Sequence, residues 1–137
     1  MPARRLPTVA SGLLALLFAG SAHAEPARKV LALAHDRPDP KVVADRLADV
    51  AQRCWLPRAP GFEGLKFDCI EPGLDPNSYR VIFAEKKKTK TPRYLRVLVG
   101  DVQQRATIVL VEQEGIDASE TVGDDARAIV KGRATSC

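Results

Sequence analysis

The chain has 137 residues, with 21 Lys and Arg against 17 Asp and Glu for a formal net charge of +4, and three cysteines. This length suits one domain with its own hydrophobic core. The modest charge gives no strong case for nucleic acid or an anionic membrane as partner.

The first 24 residues read as a secretory signal peptide. Arg4 and Arg5 supply the positive start, residues 13–20 form an apolar run, and Ala22-His23-Ala24 makes an A-x-A cleavage site ahead of Glu25. The run is far short of the roughly 20 apolar residues that cross a bilayer. The paired arginines raise the twin-arginine route, but Ala3, Leu6 and Pro7 match that signal poorly, and ordinary export is the expectation. Cleavage leaves residues 25–137 as a single domain of 113 residues. Without Arg4 and Arg5, 19 basic residues face 17 acidic ones, a balance of +2. No Asn-x-Ser/Thr sequon occurs, and no further stretch is long and apolar enough to be an integral membrane segment. The expected location is the bacterial periplasm or the exterior.

Residues 30–34 (VLALA) are too short to assign by periodicity and fit either a strand or one helical turn. Asp39-Pro40 is a helix start, with an N-cap followed by a proline whose missing N–H costs nothing at the first position. Val43, Leu47, Val50 and Cys54 then recur at helical spacing, with Lys41, Asp45, Arg46, Asp49 and Arg53 off the stripe. This predicts an amphipathic helix of about four turns that ends before Pro57.

Residues 56–64 (LPRAPGFEG) form a loop. Four strands are expected after it. In the first, Leu65, Phe67 and Cys69 alternate with Lys66 and Asp68. The others are Tyr79–Glu85, residues 93–99 and residues 107–112. Short connections argue for an antiparallel meander, and the last run, apolar on both faces, belongs in the sheet interior. Residues 117–132 predict a second helix, with an Asp117/Glu120 capping box and a Gly132 stop. Gly123 inside it costs about 1 kcal/mol against Ala, which would allow a start after that residue. The expected fold class is α+β, a meander of about four strands packed by an N-terminal and a C-terminal helix.

Cys54, Cys69 and Cys137 all lie beyond the leader, in a compartment where disulfides form. The favoured pairing is Cys54–Cys69, a helix-to-sheet clamp that closes a loop of about 15 residues and contributes on the order of 3 kcal/mol. The alternative is Cys54–Cys137. Either leaves one thiol, and no C-x-x-C motif or zinc-binding set accompanies it.

Lys86, Lys87, Lys88, Lys90 and Arg93 form the strongest charge feature, either a contact for an anionic partner or a solvated loop that keeps strand edges apart. Few aromatics interleave with them, and nucleic acid is not an expected partner. Trp55 is read as a core plug beside Cys54, with a ligand pocket as the alternative; His35 is read as a surface or capping residue. Nucleophile-elbow, zinc-protease and phosphate-loop signatures are missing. Glu112 and Glu114 are expected in water at a strand end, and Asp124 and Asp125 in the first turn of the second helix. No catalytic residue, metal or cofactor is expected.

Cys54-Trp55-Leu56-Pro57, at a helix end before a run of strands, resembles the C-terminal domains of TolA- and TonB-type periplasmic proteins. That resemblance implies a small α+β domain that contacts partners through its surface and edge strands. The family's membrane anchor and long spacer have no counterpart in this sequence, so energy transduction is not carried over. The functional expectation is a non-enzymatic binding module for an envelope protein or anionic envelope component. The alternative is a small-molecule-binding protein or enzyme with a pocket near Trp55.

Overall fold

A computed structural model describes residues 27–88 and 90–137; the expected leader, residues 1–24, lies outside them. Five antiparallel strands form one sheet: β1 (Ala27–Ala34), β2 (Leu65–Pro72), β3 (Tyr79–Glu85), β4 (Tyr94–Val102) and β5 (Ala106–Glu114), in the order β1-β5-β4-β3-β2. The expected meander is present as β2 to β5. The VLALA run is a strand, and its pairing with β5 adds the fifth member. That pairing puts β5 inside the sheet, which explains why its sequence is apolar on both faces. No helix among the described residues is long and apolar enough to cross a membrane.

Both helices, α1 (Pro40–Val50) and α2 (Ser119–Val130), cover the same face of the sheet. Alternate strand residues reach them: Val81 and Phe83 from β3, Leu95, Val97 and Val99 from β4, and Val109 and Val111 from β5 are all buried. They pack against Val43, Leu47 and Val50 of α1 and Val122, Ala126 and Ile129 of α2. This is the hydrophobic core, and the helices fold because it buries their apolar stripes.

The start of α1 is as expected, with Asp39 accepting the Lys41 N–H at 3.0 Å. Its end is not. The Leu56 N–H bonds to the Ala51 carbonyl five residues back, in a π-helical turn over Ala51–Trp55. A further α turn, Leu56–Arg58, follows with Pro57 in its first positions, where a proline needs no N–H partner. The chain therefore passes Pro57 without breaking. Trp55 is 1% exposed, and its ring lies against Phe62 and Phe83 as a core plug.

Helix α2 starts at Ser119 and runs through Gly123, whose missing side chain leaves room for Arg127: a Cβ there would stand 3.0 Å from Arg127 Nη1. Asp117 accepts the Ser119 N–H at 3.2 Å, and Gln113, rather than Glu120, completes the cap by accepting from the Ala118 N–H at 2.8 Å. The cap holds the Asp117 carboxyl below its usual pKa, chiefly through the Ser119 N–H. At the other end Gly132 has φ +73°, and Arg133 and Gly132 donate to the Ala128 and Ile129 carbonyls, a Schellman stop. Asp124 and Asp125 sit in mid-helix, not in its first turn: Asp124 pairs with Arg127, and Asp125 Oδ2 accepts the Trp55 indole N–H at 2.7 Å.

The disulfide joins Cys54 to Cys137, with Cα atoms 5.3 Å apart. The favoured Cys54–Cys69 clamp is not made, and Cys69 remains a thiol. The reason is a bulge at Asp68, where the register slips between Phe67 and Cys69. One extra residue reverses every side chain after it. Phe67 stays opposite core-facing Phe83, but Cys69 comes opposite Ile82, on the face away from α1.

Candidate functional site

Among the described residues, no helix packs on the second face of the sheet. Strand alternation and the two β-bulges decide what stands on it. Cys69, Ile82, Arg96, Glu112 and Arg28 form one row across all five strands. Glu71, Arg80, Leu98, Leu110 and Val30 form the next, and Gly100, Ile108 and Leu33 a third on three strands. The first row is largely polar. The second and third supply an apolar floor that ends in Val30 and Leu33, which are 56% and 50% exposed.

The β1 bulge between Val30 and Ala32 is what makes this edge two-sided. Leu31, Ala32 and Ala34 are buried toward the core, while Val30 and Leu33 face outward. In β2 the Asp68 bulge does the equivalent, directing Cys69 and Glu71 to the same open face.

Glu112 is 7% exposed and is the most buried charge on this face, not a residue in water. Its Oε1 accepts the Tyr94 hydroxyl at 2.6 Å and its Oε2 accepts Arg28 Nε at 2.7 Å. Burial alone would raise its carboxyl pKa, but the bonds from Tyr94 and Arg28, helped by the Arg28 and Arg96 charges, hold it below the usual carboxylate range. Burial and the same bond push the Tyr94 hydroxyl up to about 12, against the opposing pull of Arg96 and Arg80. The Arg96 guanidinium stacks on the Tyr94 ring at 4.7 Å. Arg80 pairs with Glu71 at 2.7 Å, and its Nε is buried without a partner.

Between this floor and the β2–β3 turn lies a cavity of about 650 Å³. Leu98, Ile108 and Leu110 form its base, Arg28, Arg80 and Arg96 its polar side, and Leu74 its opposite wall. The turn is held in place by Gly73 N–H bonding to Ser78 O at 2.9 Å and Ser78 Oγ to Asp75 O at 2.6 Å. Gly73 is needed there, because a Cβ would fall 2.3 Å from Ser78 Oγ. At the far end Asp101 Oδ2 accepts Arg37 Nη2 at 2.7 Å, while Oδ1 is buried without a partner.

The sequence-predicted residues fall elsewhere. Lys86, Lys87, Lys88 and Lys90 are exposed on the β3–β4 connection, at an end of the sheet away from the cavity. Arg93 belongs to the scaffold: its guanidinium donates to the Gly61 carbonyl at 2.8 Å and to the Glu63 carbonyl and pairs with Glu85, while its N–H bonds Glu85. Trp55 lies on the helix side and lines none of the concavities described. His35 is exposed just after β1. Partial burial, then Asp68 and Glu71, raise the Cys69 thiol pKa despite Arg96, which disfavours a reactive thiolate.

No group of three or more His, Cys, Asp or Glu could hold a metal among the described residues. The residues that sequence reasoning missed are Arg28, Arg80, Tyr94, Arg96 and Glu112. Their only sequence signal is alternation: Arg80/Ile82 and Tyr94/Arg96/Leu98 occupy the even-numbered positions of strands whose odd-numbered residues form the core. The chain matches no family model, no curated protein and no solved structure.

Proposed function

We propose that this chain is an exported, non-catalytic binding domain that offers the uncovered face of its sheet to an envelope component. One observation carries the reading: both helices pack on one side, while the other side keeps a concave apolar floor beside three arginines and two half-exposed apolar residues at the β1 edge. Contiguous apolar surface rimmed by charge is how binding surfaces differ from ordinary protein exterior. The export signal supplies the compartment, and the resemblance to TolA- and TonB-type domains points the same way.

The Lys86–Lys90 segment is assigned a secondary part, electrostatic steering toward an anionic partner. A catalytic reading has less support, because the buried carboxylate on this face is already bonded by Tyr94 and Arg28 and the free thiol is held protonated.

A photo-crosslinker placed at Leu33 or Leu110, and separately at Asp49 on the exposed side of α1, tests the reading in an envelope extract. Crosslinks to a common component from the two sheet positions and not from Asp49 are expected. Crosslinking from Asp49 alone, or from none of the three, contradicts it.

A further inference from the structure

We infer that the cavity on the open face takes a single-chain anionic amphiphile as a monomer, with its head at Arg96 and its apolar chain along Leu98, Leu110 and Ile108; this deepens, and rests on, the binding reading above.

The charge state of the face selects an anion. Three of the acids near these arginines are already engaged, Glu112 by Arg28 and Tyr94, Glu71 by Arg80, and Asp101 by Arg37, while Asp75 stands apart on the β2–β3 turn. Arg96 has its ring stack on Tyr94 but no ion pair among the described residues. It stands on the central strand, with planar donors matched to a carboxylate or similar oxyanion. Arg80, one diagonal step away on β3, adds a buried Nε with no acceptor. Two donors lacking acceptors therefore lie at one end of the floor.

Orientation follows from the other end. Asp75 stands there on the β2–β3 turn with no ion pair among the described residues, and Asp101, next to Gly100, also lines that end. An anionic head is disfavoured there and favoured at Arg96. The three apolar side chains between the two ends give the tail its surface.

Size and shape favour a monomer over a bilayer. The volume, about 650 Å³, lies within the roughly 300–1,000 Å³ of small-molecule sites. The floor is recessed behind the β2–β3 turn, where Leu74 is 95% exposed at the rim. A flat membrane surface meets that rim before the arginines, whereas a single chain can lie beneath it.

Titration calorimetry of the full mature chain with dodecanoate below its micelle concentration tests the inference, with dodecyltrimethylammonium and acetate as comparisons. Saturable one-to-one binding of dodecanoate is expected, with both comparison ligands at least about tenfold weaker. Arg96→Gln should weaken dodecanoate about tenfold, the worth of one charge-assisted bond, and Lys131→Gln, at an exposed residue just past α2, should leave it unchanged. Should Arg96→Gln fail to fold, amide shifts in the wild-type chain decide: the dodecanoate-induced changes must centre on residues 96–100 and 108–112. Equal binding of the cationic chain, binding unaffected by Arg96→Gln, or shifts confined to the helices overturns the inference. So does association with anionic phospholipid vesicles without monomer binding, or a dimer broken by Leu110→Glu and indifferent to dodecanoate. Absent dodecanoate binding with intact crosslinking from Leu110 overturns the ligand class alone; loss of both overturns the binding face as well.

Discussion

The Tyr94 hydroxyl donates to Glu112 Oε1 at 2.6 Å across the β4–β5 ladder, while Arg28 of β1 holds the other carboxylate oxygen. Three strands are thereby tied together on a face that neither α1 nor α2 covers. Because the Glu112 pKa is depressed in the folded chain, its contribution is fully present above the ordinary carboxylate range. It is lost as pH falls from that range through the lowered folded value. Urea unfolding between pH 7 and 3 should show this acid loss, and Glu112→Gln should flatten it. An unchanged acid limb in that variant would contradict the assignment.

Tyr94 gives the opposite limb. Its pKa rises from 10.0 to about 12 on folding, so the unfolded chain releases a proton that the folded chain keeps. Stability from this source is present below the unfolded value and is lost as pH rises between those two values. Tyr94→Phe should flatten the alkaline decline, the part from Cys69 remaining, and leave the acid one partly in place, as followed by thermal melting across pH 8 to 12.

The bond from Trp55 Nε1 to Asp125 Oδ2 joins the end of the first helical segment to the middle of α2. Asp125→Ala leaves a buried indole donor without a partner, at a cost of about 1–3 kcal/mol. Trp55→Phe also opens a gap beside Phe62 and Phe83, so it should cost more. Chemical denaturation orders the two variants, and equal values would mean that packing around Trp55 contributes little.

The Cys54–Cys137 link spans 83 residues and anchors the chain's last residues to the π-helical turn that follows α1. Cys137→Ser should lower stability by about 2–5 kcal/mol. Cys69→Ser should change it little, since Cys69 is unpaired and half-exposed on the open face. Peptide mapping of the oxidised chain checks the pairing, and a Cys54–Cys69 peptide would refute it.

The basic segment divides into two classes. Charge reversal at Lys86, Lys87, Lys88 and Lys90 should stay within about 0.5 kcal/mol of the wild type, as exposed substitutions do. Arg93→Ala should cost clearly more, because it releases the carbonyls of Gly61 and Glu63 and the Glu85 carboxylate together. Equal melting temperatures for the two variants would count against Arg93 as scaffold.

What was legible in the sequence was what neighbouring residues decide. Asp39-Pro40 and Gly132 mark helix ends through their own backbone geometry, alternation marks β3 and β4, and a run apolar on both faces marks β5 as an inner strand. The identity of β1 depended on a partner strand more than 70 residues away, so five apolar residues could not reveal it. The Asp68 bulge carries no sequence mark, yet it moved Cys69 to the other face and with it the disulfide pairing. Glu112 looked like a solvated strand end because Arg28, which buries it, comes from that same unassigned strand. The open face was illegible for a related reason: its residues belong together only through the register of five strands.

Hydrogen exchange on the full chain, alone and with the envelope component that crosslinks to it, tests the central claim most directly. Slowed exchange confined to peptides from β1, β4 and β5 and the β2–β3 turn is the predicted result. Protection in α1 and α2, with the sheet unchanged, would contradict the assignment of the uncovered face.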